Sequence, residues 1–470
     1  MTGRGILSLA DVAQSTGARV HPPLDEGVLA SLWVRAVSTD TRTMQPGDLF
    51  VALRGPSADG HRFIPDAVTR QAVGVVASTL PERPLDPRVP ILLVGDTLRA
   101  LGAIAARYRE HLPAEVVGIT GSVGKTTVAA LTAAVLERRF RVARSEESWN
   151  AEIGVPLTLL RAAPETQVIV TEMAMRGLGQ IRELVEIARP RLGVVTNIGE
   201  AHMGLLGSVE RIAEAKGELV AGLPPDGVAI LNADDPWSGR LASLARCRVL
   251  RFGFSADADV RADRATAAGR SATFHLVLGT EAAEIHLPLA GRHNVANALA
   301  AAAVGMALGV PLDAVRAGLE QAVPPSRRLQ VEEAGDLLIL NDTYNASPRS
   351  VRAALDVLDA VAGGRRRVVV LGDMKELGAE SVRLHREIGR EAAQRGVAVV
   401  VALGPEAAAL AEGAREIVAA DRVVHVPDRE AAIAILPSVI HPEDVILVKG
   451  SRAMGLEAVV EALRAYPVRK

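Results

Sequence analysis

The run Val116-Val-Gly-Ile119, the loop Thr120-Gly-Ser-Val-Gly-Lys-Thr126 and the stretch KTTVAALTAAVLERRF restrict this chain more than any other feature. Together they read as a buried strand, a glycine-rich turn and a helix with Ala and Leu on a helical period. In that setting Gly121 and Gly124 let backbone N–H groups approach phosphate, and the helix N-terminus favours an anion. Lys125 neutralises charge and Thr126 offers magnesium a hydroxyl. Gly121, Ser122, Val123, Gly124, Lys125, Thr126 and Thr127 are therefore the expected cradle of a nucleotide triphosphate. The usual pattern has glycine five positions before Gly124, where this chain has Ile119 flanked by Gly118 and Gly121.

Short β-branched runs alternate with helical stretches, among them Val168 to Thr171, Leu192 to Thr196, Val368 to Leu371, Val397 to Leu403 and Val445 to Val448. That alternation predicts an α/β protein with largely parallel sheets. With 470 residues the chain exceeds what one core organises. Two Pro-bearing connections, His111-Leu-Pro-Ala114 and Val323-Pro-Pro-Ser326, divide it into expected domains at 1–112, 113–325 and 326–470.

Charge excludes some partners. Lys plus Arg number 53 against 55 for Asp plus Glu, so no bulk field exists to hold nucleic acid or an anionic membrane. The single cysteine, Cys247, rules out an internal disulfide and a cysteine-based metal cluster. No signal-like h-region opens the chain, and the least polar stretch, Val295 to Val310, is too short to span a bilayer. A cytoplasmic monomer without membrane insertion is expected.

Three residues qualify for metal or carboxylate chemistry. Glu172 ends the run Val168-Ile-Val-Thr171, placing a carboxylate at the C-terminal edge of a parallel strand, where such sheets bind ligands. It is either a magnesium ligand or a surface acid at a strand end. His202 follows the strand Leu192 to Thr196; magnesium prefers oxygen, so residue chemistry favours a hydrogen-bonding histidine over a ligand. Lys216, on a helix expected from Ser208 to Leu223, shares a face with Ile212, Leu219 and Val220. It either snorkels along its neighbours or is a desolvated amine of lowered pKa, able to act as a nucleophile or to take up carbon dioxide.

With these residues in hand, the chain resembles the Mur ligase family along essentially its whole length. The matching segments include STDTRTMQPGDLFVALRG from Ser38, TGSVGKTT from Thr120, NAEIGVP from Asn150, TEMAMRGLGQI from Thr171 and TNIGEAHMGLLGS from Thr196. Further along lie AKGEL from Ala215, GRHNVANALAAA from Gly291, NDTYNASP from Asn341, LGDMKELG from Leu371 and LVKGSR from Leu447. The resemblance implies a UDP-binding domain, a central ATPase domain with a mostly parallel sheet and a Rossmann-like C-terminal domain. It implies a reaction in which ATP phosphorylates a carboxylate of a UDP-linked muramoyl peptide and an amine then attacks the acyl phosphate.

Carried over by position, Lys125 contacts the transferred phosphate, Thr126 and Glu172 hold one magnesium ion, and His202 and a carbamate on Lys216 hold a second. The resemblance thus reverses the weighting of His202. Asn294 and Asn297 match residues near adenine, although Asn294 also suits a helix cap, and Arg328 and Asp342 match residues reaching ATP from the third domain. Tyr344, Asn345, Ser347, Ser451 and Arg452 match the side facing the incoming amine, and Ser347-Pro348 suits a helix start. Ser38, Asp40 and Arg42 match the UDP region. Asn150 is a catalytic candidate, but Ala151 stands where many relatives carry a second asparagine.

The NDTYNASP loop, and the lack of an Asp-Asn-Pro-Arg segment, favour the branch that adds D-alanyl-D-alanine to UDP-N-acetylmuramoyl-tripeptide. A single-amino-acid or folate-type ligase is the nearest rival. A GTPase needs a base-reading Asn-Lys-x-Asp, and the nearest string, Asn232-Ala-Asp-Asp235, lacks the lysine. In a non-catalytic nucleotide-binding scaffold, Glu172, His202 and Lys216 would be uncoupled surface residues.

Overall fold

The computed structural model describes residues 5–55, 58–82, 86–146 and 149–466. It contains three main sheets in chain order, each with its own helices, and a two-stranded antiparallel pair, Leu7–Ser8 with Trp33–Val34; the α/β architecture with mostly parallel strands agrees with the alternation in the sequence. The N-terminal sheet runs Arg19–His21, Ile91–Leu93, Gly74–Ala77, Leu49–Val51, Val37–Ser38, antiparallel only at its first pair. The strand after the turn Gln45 to Asp48 ends at Val51, whose carbonyl accepts the Leu53 N–H as the chain turns back.

The central sheet has nine strands, with Glu115–Thr120 flanked by Val168–Glu172 and Leu192–Val195. All are parallel from Val142–Arg144 to Val260–Ala268, after which Ser271–Leu278 and Glu281–Leu287 add an antiparallel edge. Fully buried Val116, Val117, Ile119, Ile169, Val170 and Val194 explain the continuous apolar runs, because helices cover both faces of such a sheet. The C-terminal sheet has six strands, parallel except for the first pair, Gln330–Ala334 with Leu337–Asp342.

Each outer body packs on the central one. The N-terminal helix Thr97–Arg109 packs on the central helices Gly154–Leu160 and Gln180–Ala188. The C-terminal domain meets the central one through backbone: the Gly204 N–H donates to the Glu376 carbonyl (2.7 Å). A Cβ on Gly204 would lie 2.6 Å from the Gly378 nitrogen, and one on Gly378 would lie 2.6 Å from the Gly204 Cα. Arg349 Nη1 also donates to the Ile198 carbonyl (2.8 Å).

Gly204 sits in the short helix Met203–Leu206 with ordinary backbone angles, so alanine there is conformationally cheap and perturbs only the docking contact. Gly204→Ala is expected to undock the C-terminal domain, raising the radius of gyration measured by small-angle X-ray scattering. Thermal unfolding of the individual domains should stay within about 2 °C of the parent, a surface-substitution effect. An unchanged scattering curve would show that this contact does not govern docking.

Candidate active site

A cleft of about 780 Å³ opens at the C-terminal edge of the central sheet and is closed on its far side by the C-terminal domain. Its floor is the phosphate loop. The strand Glu115–Thr120 delivers the loop, and the helix Lys125–Leu136 starts from Gly124 at φ 91°. A side chain at Gly124 is excluded twice, by that angle and by Asn297 Oδ1 only 2.5 Å from where a Cβ would stand.

The loop is braced from the next strand. The Ser122 N–H donates to the Asn197 carbonyl (2.9 Å), the Val123 N–H to Asn197 Oδ1 (3.1 Å), and Asn197 Nδ2 returns a bond to the Val123 carbonyl (2.9 Å). Ser122 Oγ bonds Gly199. The amides of Ser122 and Val123 are thus committed to shape. The first turn of the helix, Lys125 to Thr127, presents the unpaired N–H groups that every helix start carries.

Two amino groups converge on one carbonyl beneath the loop. Lys125 Nζ lies 2.8 Å from Gly121 O, and Lys216 Nζ, from the helix Val209–Ala221, lies 3.0 Å from the same oxygen. Lys216 is 1% exposed, so it does not snorkel. Burial pushes the Lys125 ammonium down to about 8, against a smaller upward pull from Glu172. Burial, and then the charge of Lys125, push Lys216 well below its ordinary value. Both effects favour the neutral form of the Lys216 amine, the form that has a lone pair to offer.

Glu172 is the last residue of its strand and is buried, so it is not a surface acid. Its Oε2 accepts from the Thr126 hydroxyl (3.0 Å), which joins the two oxygens expected to face one cation. His202 sits at φ 68°, and its Nδ1 lies 2.6 Å from Glu376 Oε2. Burial, then the charges of Lys125 and Lys216, hold this imidazole below the usual histidine pKa. A neutral ring that gives its Nδ1–H to a carboxylate has its Nε2 lone pair free as an acceptor or ligand. Asn150 lines the cleft, and its carbonyl accepts the Ala174 N–H (2.6 Å).

Asn294 and Asn297 lie on the buried helix Arg292–Ala307 and line the cleft. The helix begins after Gly291, so Asn294 is in its first turn and is not its cap. Its Nδ2 donates to Ala290 O (2.7 Å), and its Oδ1 accepts from Asn297 Nδ2 (3.0 Å). Arg328, and not Arg327, lines the cleft, with its guanidinium 3.8 Å from the centre of the Tyr344 ring. Asp342 ends its strand and pairs with buried Lys449 (2.5 Å), which also donates to the Asn345 carbonyl (2.7 Å). Ser347 caps the helix Pro348–Ala362 with proline at its first position, as the sequence suggests. Ser451 Oγ accepts the Lys375 N–H (2.8 Å), and Arg452 stands 5.2 Å from the Tyr344 ring.

The structure therefore brings the loop, Asn150, Glu172, His202, the two asparagines, Arg328, Asp342 and the Tyr344 to Arg452 group into one cavity, with Gly121 and Lys216 just below it. Ser38, Asp40 and Arg42 are outside it, on the N-terminal domain. There the Arg42 guanidinium clasps the Asp40 carboxylate, and Ser38 Oγ bonds Asp40 O (2.9 Å). Sequence reasoning missed Asn197, His293, Lys375 and Glu376. His293 is a half-buried wall of the cleft whose pKa is lowered to about 4 by desolvation. All four lie inside segments already singled out, TNIGEAHMGLLGS, GRHNVAN and LGDMKELG, but nothing in their spacing marks Asn197 as a brace of the loop or the other three as facing a cleft.

Family models cover the chain in order: "Mur ligase family, catalytic domain" at 34–109, "Mur ligase middle domain" at 119–305 and "Mur ligase, glutamate ligase domain" at 327–452. The chain is 40% identical over 442 residues to the UDP-N-acetylmuramoyl-tripeptide--D-alanyl-D-alanine ligase of Escherichia coli K12, covering 93% of this chain and 95% of that one. The Bacillus subtilis ligase of the same name is 34% identical, with both chains fully covered. Among solved structures, MurF from Acinetobacter baumannii superposes with a TM-score of 0.87 at 31% identity, covering 98% and 99% of the two chains. MurF from Thermotoga maritima in complex with ADP gives 0.81 at 27% identity, covering 92% and 97%. Similarity of this extent, spread over all three sheets and the cleft between them, has one consequence for classification: the chain belongs to the Mur ligase family.

Proposed function

We propose that this chain is an ATP-dependent ligase that joins D-alanyl-D-alanine to the terminal carboxylate of a UDP-N-acetylmuramoyl-tripeptide, forming the pentapeptide precursor of peptidoglycan with release of ADP and phosphate. The observation that carries this reading is the convergence in one cleft of a phosphate loop from the central domain and the Tyr344, Ser347, Ser451 and Arg452 group from the C-terminal domain. The relatives named above bear the same activity in their names, and the T. maritima relative holds ADP.

In this reading residues 1–112 hold the UDP-peptide, 113–325 hold ATP and 326–470 receive the dipeptide. Lys125 and the N–H groups at the helix start hold the phosphates, while Asn294 and Asn297 face the base. Arg328 faces the phosphates, and Asp342, held by Lys449, faces the ribose. The peptide carboxylate attacks the γ-phosphorus and ADP leaves; the dipeptide amine then attacks the acyl carbon and phosphate leaves. Docking of the C-terminal domain keeps water from the acyl phosphate between the two steps.

The residues present suit two magnesium ions. Among the described residues no three His, Cys, Asp or Glu side chains gather to hold a metal unaided, so phosphate oxygens would complete each shell, as magnesium commonly accepts. Thr126 and Glu172 would hold one ion. His202 through Nε2 and Lys216 as its carbamate would hold the other, the neutral buried amine being suited to take up carbon dioxide. When bound, the ions neutralise charge on the phosphoryl group in transfer. Glu376 reaches His202 from the C-terminal domain, so ring orientation depends on docking.

We propose a monomer. No helix among the described residues is long and apolar enough to cross a membrane. Work on a UDP-linked precursor and ATP fits the cytoplasm.

Phosphate release from ATP is expected only when the UDP-tripeptide and D-alanyl-D-alanine are both present, in a coupled phosphate assay. Equal release without the dipeptide, or full replacement of the dipeptide by one amino acid, would overturn the reading.

Lys216→Met is expected to abolish ligation and to remove a carbamate signal that ¹³C-bicarbonate gives the parent by NMR. The same change should stabilise the central domain. Lys216 has a folded pKa below its unfolded value, so the unfolded state binds more protons between the two, and stability rises with pH across that window. The methionine variant should therefore be more stable at pH 7 in denaturant unfolding, with the gap closing as pH rises toward the ordinary lysine value. An unchanged carbamate signal or full activity would remove Lys216 from the site.

A further inference from the structure

The charged side chains that line the cleft are nearly all committed. Lys125 holds Gly121 O, Glu172 holds Thr126, His202 holds Glu376 and Asp342 holds Lys449. Lys375 lies between Asp373 and Glu406 at 2.8 Å from each, and Arg328 and Arg452 lie against the Tyr344 ring. Two are left. Glu152 and Arg176 line the cleft and are exposed, and in neither does the side chain make a hydrogen bond or ion pair among the described residues.

These two share one lobe. The 2.6 Å bond from the Ala174 N–H to the Asn150 carbonyl sets the two segments side by side, and Glu152 and Arg176 each stand two residues beyond that bond. Gln180 Oε1 accepts the N–H groups of Arg176 (2.6 Å) and Gly177 (3.1 Å), which fixes the backbone beneath the arginine. The lobe opens where the helices Gly154–Leu160 and Gln180–Ala188 begin, and the N-terminal domain packs on those same helices through Thr97–Arg109. It is therefore on the side of the central domain that meets the N-terminal domain, from which, in the ligase reading, a UDP-linked peptide enters.

Resting on the ligase reading above, we propose that Glu152 and Arg176 select the third residue of the tripeptide, and that they fit a diaminopimelate side chain, whose end carries both an ammonium and a carboxylate. That third residue bears the reacting carboxylate itself, so the end of its side chain lies within about 7 Å of the reacting carbon by bond lengths alone. Arg176 lines the same cleft as Glu172, four positions past the end of that strand. Arginine takes a carboxylate in bidentate fashion and Glu152 takes the ammonium. A lysine in the third position offers the ammonium only and leaves the guanidinium unused. A pair of opposite charges held apart and unbridged suits a zwitterion better than either ion alone.

The test uses the full chain, ATP, magnesium and D-alanyl-D-alanine with two UDP-tripeptides that differ only in the third residue, diaminopimelate or lysine. The parent is expected to favour diaminopimelate by about tenfold or more in kcat/KM, carried by KM. Arg176→Gln should reduce that ratio to within about threefold of unity, while Glu152→Gln lowers kcat/KM on both substrates. Both side chains are exposed, so folding is not at stake. A parent that uses the two substrates equally, or an Arg176→Gln variant that weakens both alike, overturns the inference while leaving the ligase reading intact. If neither tripeptide supports dipeptide-dependent phosphate release, the ligase reading itself fails and this inference falls with it.

Discussion

The Gly121 carbonyl accepts from two amines at once, Lys125 Nζ and Lys216 Nζ, and much of the site depends on how that arrangement resolves its charge. Two ammonium groups about 5 Å apart would repel by roughly 3 kcal/mol even at an effective dielectric constant of 20. Lys216 is fully buried and Lys125 partly so, which compounds the cost. Glu172 stands near Lys125 and pulls its pKa up, whereas no carboxylate is recorded beside Lys216. Lys125 is therefore the better placed to keep its proton. One carbonyl thereby divides two chemically identical side chains, one set to meet phosphate as a cation and the other pushed toward the neutral amine.

That division holds only if the loop keeps its shape, and the shape is imposed from outside the motif. Asn197 engages Ser122 and Val123 through three hydrogen bonds, and Gly199 closes on the Ser122 hydroxyl. Strand order explains why this residue does the work. Leu192–Val195 is the immediate parallel neighbour of Glu115–Thr120, so the loop leaving one strand end lies beside the loop leaving the other. Ligands bind at this edge in open α/β sheets for the same reason.

Much of this was legible in the sequence where local chemistry decides it. The strand before Thr120, the helix after Gly124, the apolar face carrying Lys216 and the cap at Ser347 all follow from periodicity and residue type within one element. What escaped was set by contacts distant in sequence. Glu376 lies 174 residues from His202, and Asn197 lies 74 from Val123, so no spacing rule joins them. Asn294 shows the converse failure. Its residue type suits a cap, but Gly291 starts the helix three residues earlier and the side chain serves Ala290 and Asn297 instead. Resemblance supplied the grouping of His202 with Lys216; composition and period alone left a hydrogen-bonding histidine as the better reading.

The string Asn232-Ala-Asp-Asp235, which a nucleotide-binding chain invites one to read as a base-selective motif, has a different use in this fold. Asn232 Nδ2 donates to Thr196 O (3.0 Å), and Asp235 Oδ2 accepts the Ile198 N–H (2.9 Å). Both ends of the 196–198 segment, whose Asn197 braces the phosphate loop, are thus held from the neighbouring strand. Arg349 of the C-terminal domain reaches the same place, donating to Ile198 O at 2.8 Å and standing 3.5 Å from Asp235. The segment that shapes the phosphate loop is therefore also a docking point for the domain proposed to bring the second substrate. Any displacement of the 196–199 segment by a bound nucleotide would be felt at Arg349, and undocking of Arg349 would release one restraint on the loop. That shared element gives the two halves of the reaction a physical connection that runs through hydrogen bonds and requires no contact between the two ligands.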